Sequence, residues 1–340
     1  MIVDGVFDFQ HFTVFSRLRD FIRADVTLLL KLEMFNPGGS IKFKPAIGLI
    51  KSLEERGALQ CGSSVIDTSS GNMGVALAMA CCARGYSFSC VTDEKITSHN
   101  RALIEAYRGD VVVMPNSNYK QRCDYIRSRL GESPNLVWTR QFTDHMNPEI
   151  HARTTAREIL EQLGRVDYVF AGTGTGGTAS GCARAFAEQR PSVKVVAVDA
   201  VGSAHFESPP SATPRLLPGI GATQRSPFLD MVNLHDALLV PEDEAILACR
   251  AVVAASGWLI GASSGSVLAA VRRCEARFQP GDVVVAVVAD SGERYLSAVY
   301  DDNWVEAHFP ALDLGRPTAV PADQRTELLA DLGLAPVPMG

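Results

Sequence analysis

The sequence predicts an α/β protein of two domains, with parallel sheets covered by helices. Short apolar runs rich in Val and Leu alternate with longer helical patterns along almost the whole chain. These runs are continuously apolar, as strands buried on both faces must be. A length of 340 residues, 46% of them hydrophobic, suffices for two cores.

Residues 26–34 (VTLLLKLEM) read as a strand, and residues 43–56 as a helix with Ile47, Ile50 and Leu53 on one face and Gly57 as its stop. Strand 64–68, helix 72–84, strand 86–93, a helix from Asn100 to Tyr107, strand 110–115 and helix 119–130 follow. A second series comprises helix 151–163, strand 168–172, helix 179–190, strand 193–200, helices 242–255 and 266–278, and strand 282–290. Between them, residues 201–235 are rich in Gly, Pro and Ser without periodicity, which predicts a long functional surface excursion. The tail from Pro310 carries one short helical pattern, 322–333, and no recognisable chemistry.

A net charge of -6, with 32 basic residues scattered among 38 acidic ones, argues against nucleic acid or an anionic membrane and for a small-molecule partner. No apolar run approaches the roughly 18 residues of a membrane span. The opening MIVDGVFDFQHF has acids where a secretory signal would be basic and apolar, so a cytoplasmic protein is expected. The eight cysteines (Cys61, Cys81, Cys82, Cys90, Cys123, Cys182, Cys249, Cys274) form no CxxC pair and read as buried, reduced thiols, with no disulfide framework and no metal site.

Ligands of parallel sheets sit where strands give way to helices, and three such junctions are rich in Gly and hydroxyl residues. In YVFAGTGTGGTASG, Gly172, Gly174, Gly176 and Gly177 alternate with Thr173, Thr175 and Thr178 ahead of a helix. Converging N–H groups, hydroxyls and a helix N-terminus suit a phosphate, although a purely structural turn has the same composition; neither a Walker loop nor a dinucleotide fingerprint is present. Ser69, Ser70 and Asn72 of DTSSGNMG either cap a helix or bind a carboxylate at its N-terminus. In GASSGS, the third junction, Ser263 or Ser264 reads as a helix cap. Lys42, after the Pro-Gly-Gly-Ser turn of NPGGSIKFKPA, stands at a helix start. There the dipole and partial desolvation favour the neutral amine a Schiff base needs; an exposed surface cation is the alternative. A carbonyl cofactor bearing a phosphate, pyridoxal phosphate, would join Lys42 to the glycine loop.

Taken together and in this order, these segments resemble the fold-type II pyridoxal-phosphate enzymes (tryptophan synthase β-like), specifically the cysteine synthase and cystathionine β-synthase group. The likeness runs from about Thr13 to about Asp302 and includes QF (141, 142), NPEIHARTTAREI, GIGA (219–222) and SGERYL (291–296). It implies that Lys42 is the Schiff-base and proton-transferring lysine. It further implies that Gly174, Thr175, Gly176, Gly177 and Thr178 cradle the phosphate and that Ser263 partners the pyridine nitrogen. Asn72 would reach the cofactor's ring oxygen, and Ser69, Ser70, Asn72 and Gln141 would bind the substrate carboxylate. The resemblance implies a large domain of residues 1–38 and 150–315, a smaller mobile domain of 39–149, a tail of 316–340, and a homodimer. A neutral serine beside the ring nitrogen suits β-elimination through an aminoacrylate over transamination.

VDAVGSAHF, LPGIGA, VTDEKIT and VYDDNWVE are similar to the branch that makes N-(2-amino-2-carboxyethyl)-L-glutamate from O-phospho-L-serine and L-glutamate, toward 2,3-diaminopropionate and siderophores such as staphyloferrin B. SIKFKPA and Met73 depart from standard cysteine synthases. Arg101, Arg140 and Arg153 are candidates for the glutamate carboxylates or for plain surface cations. A cysteine synthase using O-acetylserine or O-phosphoserine with sulfide is the alternative, followed by a serine or threonine deaminase and a non-catalytic cofactor-binding regulator.

Overall fold

A computed structural model describes residues 2–9, 13–207 and 215–314. In chain order its elements are β1 (Phe15–Arg17), β2 (Thr27–Leu32), α1 (Phe43–Glu55), β3 (Ser64–Thr68), α2 (Asn72–Arg84), β4 (Ser87–Thr92), α3 (Ser98–Ala106), β5 (Asp110–Val113), α4 (Tyr119–Glu132), β6 (Leu136–Trp138), α5 (Met146–His151) and α6 (Arg157–Gln162). Then come β7 (Tyr168–Gly172), α7 (Gly177–Gln189), β8 (Lys194–Ala200), β9 (Asp236–Val240), α8 (Glu242–Ser256), α9 (Ala262–Arg273), β10 (Val283–Val288) and α10 (Asp302–His308). Among the described residues the strands form a six-stranded sheet, β1-β2-β10-β7-β8-β9, and a four-stranded sheet, β5-β4-β3-β6. Only the β1–β2 pairing is antiparallel. The architecture is α/β, as the apolar runs require.

Period-two alternation explains why β10 (VVVAVV) lies inside the larger sheet. Val284, Ala286 and Val288 face a core shared with Ile246 of α8 and Val267 and Leu268 of α9. Val285 and Val287 face a second core with Ala179, Cys182 and Phe186 of α7. Both faces are dry, so an unbroken apolar strand fits and an alternating one would not. In the smaller sheet, Val65, Phe88 and Cys90 pack against Ile47, Leu49 and Ile50 of α1 and Val75, Leu77 and Met79 of α2. Ile66 and Val91 meet Ile126 of α4 on the opposite side. Helix α2 stops at Gly85, whose φ of 75° places its N–H on the carbonyls of Cys81 and Cys82.

The structure departs from the sequence reading in identifiable places. The helix expected from His151 begins at Met146, with Pro148 accommodated in its first turn, and passes through a π-turn at Ala152–Ala156. β1, β6 and β9 were not foreseen; all three are sheet edges, two of them only three residues long. The excursion after β8 contains a 3₁₀ turn at Pro227–Met231. The helical pattern at 322–333 lies outside the described residues.

Where β2, α1 and α6 converge, four charged side chains are buried together. Lys31 Nζ lies 2.6 Å from Glu33 Oε1 and also reaches Glu158, while Lys44 Nζ is 2.8 Å from both Glu33 Oε1 and Glu158 Oε2. Burial opposes ionisation of Glu33, but the Lys31 and Lys44 ammonium groups outweigh it and hold its carboxyl at about 2. Lys31 is raised despite burial, through Glu33 and Glu158. Charges this dry persist only as a balanced set. Lys44→Met is therefore expected to lower stability by about 3–5 kcal/mol, the cost of stripping one partner from a buried pair; an unchanged urea-unfolding midpoint would contradict this.

Candidate active site

Lys42, Gly172, Thr178, Gly219, Ile220 and Ser263 line one cleft. Lys42 reaches it because of the turn before it. Gly38 and Gly39 adopt φ of 75° and 72°, which the handedness of other residues disfavours, and so reverse the chain within two residues. The turn is then stitched to the end of β10: Ser40 bridges Asp290, and the Ile41 N–H donates to the Ala289 carbonyl at 2.7 Å. Lys42 follows as the last residue before α1. Burial pushes its ammonium pKa down, with the Asp290 carboxylate opposing.

The glycine loop leaves β7 and enters α7 at Gly177, with no side-chain cap on that helix. Its shape is fixed from three sides. His205 Nε2–H donates to the Gly174 carbonyl at 2.8 Å while its Nδ1 accepts from the Ser226 N–H, which settles the ring as the neutral Nε2–H tautomer. Ser226 Oγ donates to the Thr175 carbonyl at 2.6 Å, and Asn147 Nδ2 joins Thr175 Oγ1 to the Gln141 carbonyl. Thr178 Oγ1 pairs with His151 Nε2 at 3.3 Å, and His151 Nδ1 with Thr155 Oγ1 at 3.0 Å. Burial, reinforced by the positive charge of Lys42 and Lys44, lowers His151 to about 3, so its ring is uncharged at neutral pH.

The loop between β3 and α2 faces the lysine turn. Ser69 Oγ accepts from the N–H groups of Gly71 (3.2 Å) and Gly74 (3.1 Å), so this hydroxyl serves the helix start. Asn72 reaches across to the chain after β10: its Nδ2 donates to Asp290 Oδ2 at 2.6 Å, and its Oδ1 accepts from Arg294. Gln141 is buried, with Nε2 donating to the Thr68 carbonyl at 3.0 Å.

This geometry coincides with a family match: residues 13–290 fit the model for pyridoxal-phosphate dependent enzymes. The chain belongs to that family. Among its curated relatives, N-(2-amino-2-carboxyethyl)-L-glutamate synthase of Ralstonia nicotianae is 37% identical over 296 residues, covering 85% of this chain and 86% of the relative. The enzyme of the same name from Cupriavidus metallidurans is 36% identical over 297 residues, covering 84% and 86%. Among solved structures, O-ureido-L-serine synthase superposes with a TM-score of 0.83 at 31% identity, covering 89% of this chain and 96% of the other. The O-acetylserine dependent cystathionine β-synthase of Helicobacter pylori gives 0.83 at 26%, covering 88% and 100%.

The cleft of this pyridoxal-phosphate dependent enzyme fits its cofactor chemically. A desolvated amine and the Ser263 hydroxyl line it together with Thr178 of the first turn of α7, and the nearby Thr173 Oγ1 is buried without a hydrogen-bond partner. The cradle also requires its glycines. A Cβ on Gly174 would lie 2.7 Å from the Gly219 carbonyl oxygen, and one on Gly177 would lie 2.1 Å from Asn147 Oδ1. Lys42, Thr178 and Ser263 thus share the cleft, while Asn72 is bonded to Asp290, the neighbour of the cleft-lining Ala289. The three arginines singled out in the sequence lie elsewhere: Arg101 pairs with Glu105 and Arg153 with Glu149 on helix surfaces, and Arg140 sits over Trp138. Asn147, His151, Asp290 and Arg294 had no assigned part, although the first two fall within NPEIHARTTAREI and the last within SGERYL.

His151 makes the fold acid-sensitive in a definite direction. Its folded pKa is depressed below the unfolded value near 6.5, so the unfolded state takes up the proton first and stability falls as pH drops from about 6.5 toward 3. His151→Gln is expected to remove up to about 1.4 kcal/mol per pH unit of that slope; urea unfolding at pH 7 and pH 5 measures it, and an unaltered slope would refute the assignment.

Proposed function

We propose that this enzyme replaces the β-substituent of O-phospho-L-serine with the amine of L-glutamate, giving N-(2-amino-2-carboxyethyl)-L-glutamate and phosphate. The observation that carries the product is the two curated relatives named for it, at 36–37% identity over more than four fifths of both chains; O-phosphoserine follows from the sequence resemblance.

In this reading Lys42 would hold the cofactor and, as a free neutral amine, would take the proton from the substrate Cα. Desolvation supports the role, because the amine must be neutral to accept a proton. Gly174, Thr175, Gly176, Gly177 and Thr178, with the first N–H groups of α7, hold the phosphate of the cofactor. His151 keeps the Thr178 hydroxyl oriented without adding a charge. Ser263 offers the ring nitrogen a neutral partner. When bound, pyridoxal phosphate supplies the electron sink that stabilises negative charge at Cα. The substrate carboxylate is received by the start of α2, where Ser70 and Asn72 supply donors and Gln141 lies behind the loop; Ser69 shapes that start through its cap. Residues 39–149 form the smaller unit that carries this loop and closes over the cleft, against 1–38 and 150–315, and closure excludes water.

A second reading is cysteine synthesis from an O-substituted serine and sulfide; the resemblance to the O-acetylserine dependent structure favours its serine substrate. Both readings share every residue above and differ in leaving group and nucleophile.

Lys42→Ala is expected to abolish the visible absorbance of the cofactor-loaded protein and its turnover, and retention of both would refute the role of Lys42. Mixing the purified enzyme with O-phosphoserine and glutamate should yield the glutamate adduct and phosphate, identified by mass. Product only from O-acetylserine and sulfide would instead establish the second reading.

A further inference from the structure

Arg294 stands in the 3₁₀ turn Gly292–Tyr295 after β10 and is half-buried. Its guanidinium binds two oxygens from different parts of the chain: Nη1 donates to Asn72 Oδ1, at the start of α2, and Nη2 to the Gly38 carbonyl, in the turn ahead of Lys42. The approach is built in, because a Cβ on Gly39 would lie 2.9 Å from Nη2. The opposite end of the Asn72 amide is held as well, by Asp290 Oδ2, which also accepts from Tyr295 O–H at 2.7 Å. Asn72 is therefore gripped at both its donor and its acceptor by one short segment, Asp290–Arg294, and the same segment grips the lysine turn.

We propose that Arg294 is a positioning residue that clamps the carboxylate-binding loop onto the lysine turn and so holds the cleft shut during turnover. Both acceptors are neutral amide oxygens, so the guanidinium can make these bonds with the loop in place and release them without separating an ion pair. Charge-assisted bonds make the clamped position definite. Aspartate and tyrosine complete it by fixing which way the Asn72 amide faces. This inference rests on the reading of the 69–72 loop as the carboxylate site. A loosened clamp admits water, and the reacting amino acid is then diverted: a β-substituted serine and one water yield pyruvate, ammonium and the free leaving group in place of the replacement product.

The test uses cofactor-loaded Arg294→Met and Arg294→Gln, with Arg294→Lys as the conservative variant. Met and Gln are expected to keep the visible absorbance, to raise KM for the serine substrate about tenfold or more, as loss of a hydrogen bond to a charged group does, and to raise the pyruvate fraction; Lys should restore part of both. An unchanged KM and pyruvate fraction would overturn the clamp, as would loss of colour in both variants, which would put Arg294 in the cofactor site. Pyruvate release is followed with O-phosphoserine and with O-acetylserine, so the outcome does not depend on the nucleophile. Amide hydrogen exchange at 71–74 in the loaded protein reads the clamp without any substrate: faster exchange in Met supports it and equal exchange overturns it, even if the proposed reaction itself fails.

Discussion

The desolvation of one amine organises this molecule. For the proposed reaction Lys42 must lose its proton, and burial favours that loss while a buried carboxylate, Asp290, opposes it. A lysine side chain is long and mobile, and burying it costs conformational entropy as well as hydration. The fold meets that cost with a glycine turn bonded to the end of β10, so the lysine backbone is fixed before its side chain enters the cleft. Two residues on, Lys44 points the other way, into a neutralising set with Lys31, Glu33 and Glu158. One segment therefore carries two lysines in unlike surroundings. The difference is the number of carboxylates in contact, two for Lys44 and none in direct contact for Lys42.

The glycine loop follows a related logic. In the proposed function the loop holds a phosphate, and such a site gains from N–H groups and hydroxyls already in place, because rearranging them at binding would consume affinity. Here two neutral imidazoles, an asparagine and a serine hold the loop from behind, leaving its inner face to the cleft. Glycines are required there for reach as much as for flexibility, since neighbouring oxygens occupy the space a Cβ would need at Gly174 and Gly177.

The interior strands β10 and β7 were legible because both their faces are buried, which leaves them almost wholly apolar sequences. Edge strands such as β1 and β9 bury less, so their sequences carry a weak signal and their pairing decides them. The helix beginning at Met146 was hidden by Pro148, which reads as a breaker until it is seen to occupy the first turn, where no N–H is missed.

By itself the sequence determined the α/β class and pointed to Lys42 and the Gly- and Ser-rich loops as candidates, because strand burial and turn chemistry are local properties written in residue type and spacing. It could not show that Asn72 lies against Asp290 and Arg294, more than two hundred residues away, or that His151 stands uncharged behind Thr178. Those facts depend on which loops the two sheets bring together and on how much water the assembled cleft excludes. Only the tertiary structure sets these distances and the electrostatics that follow from them.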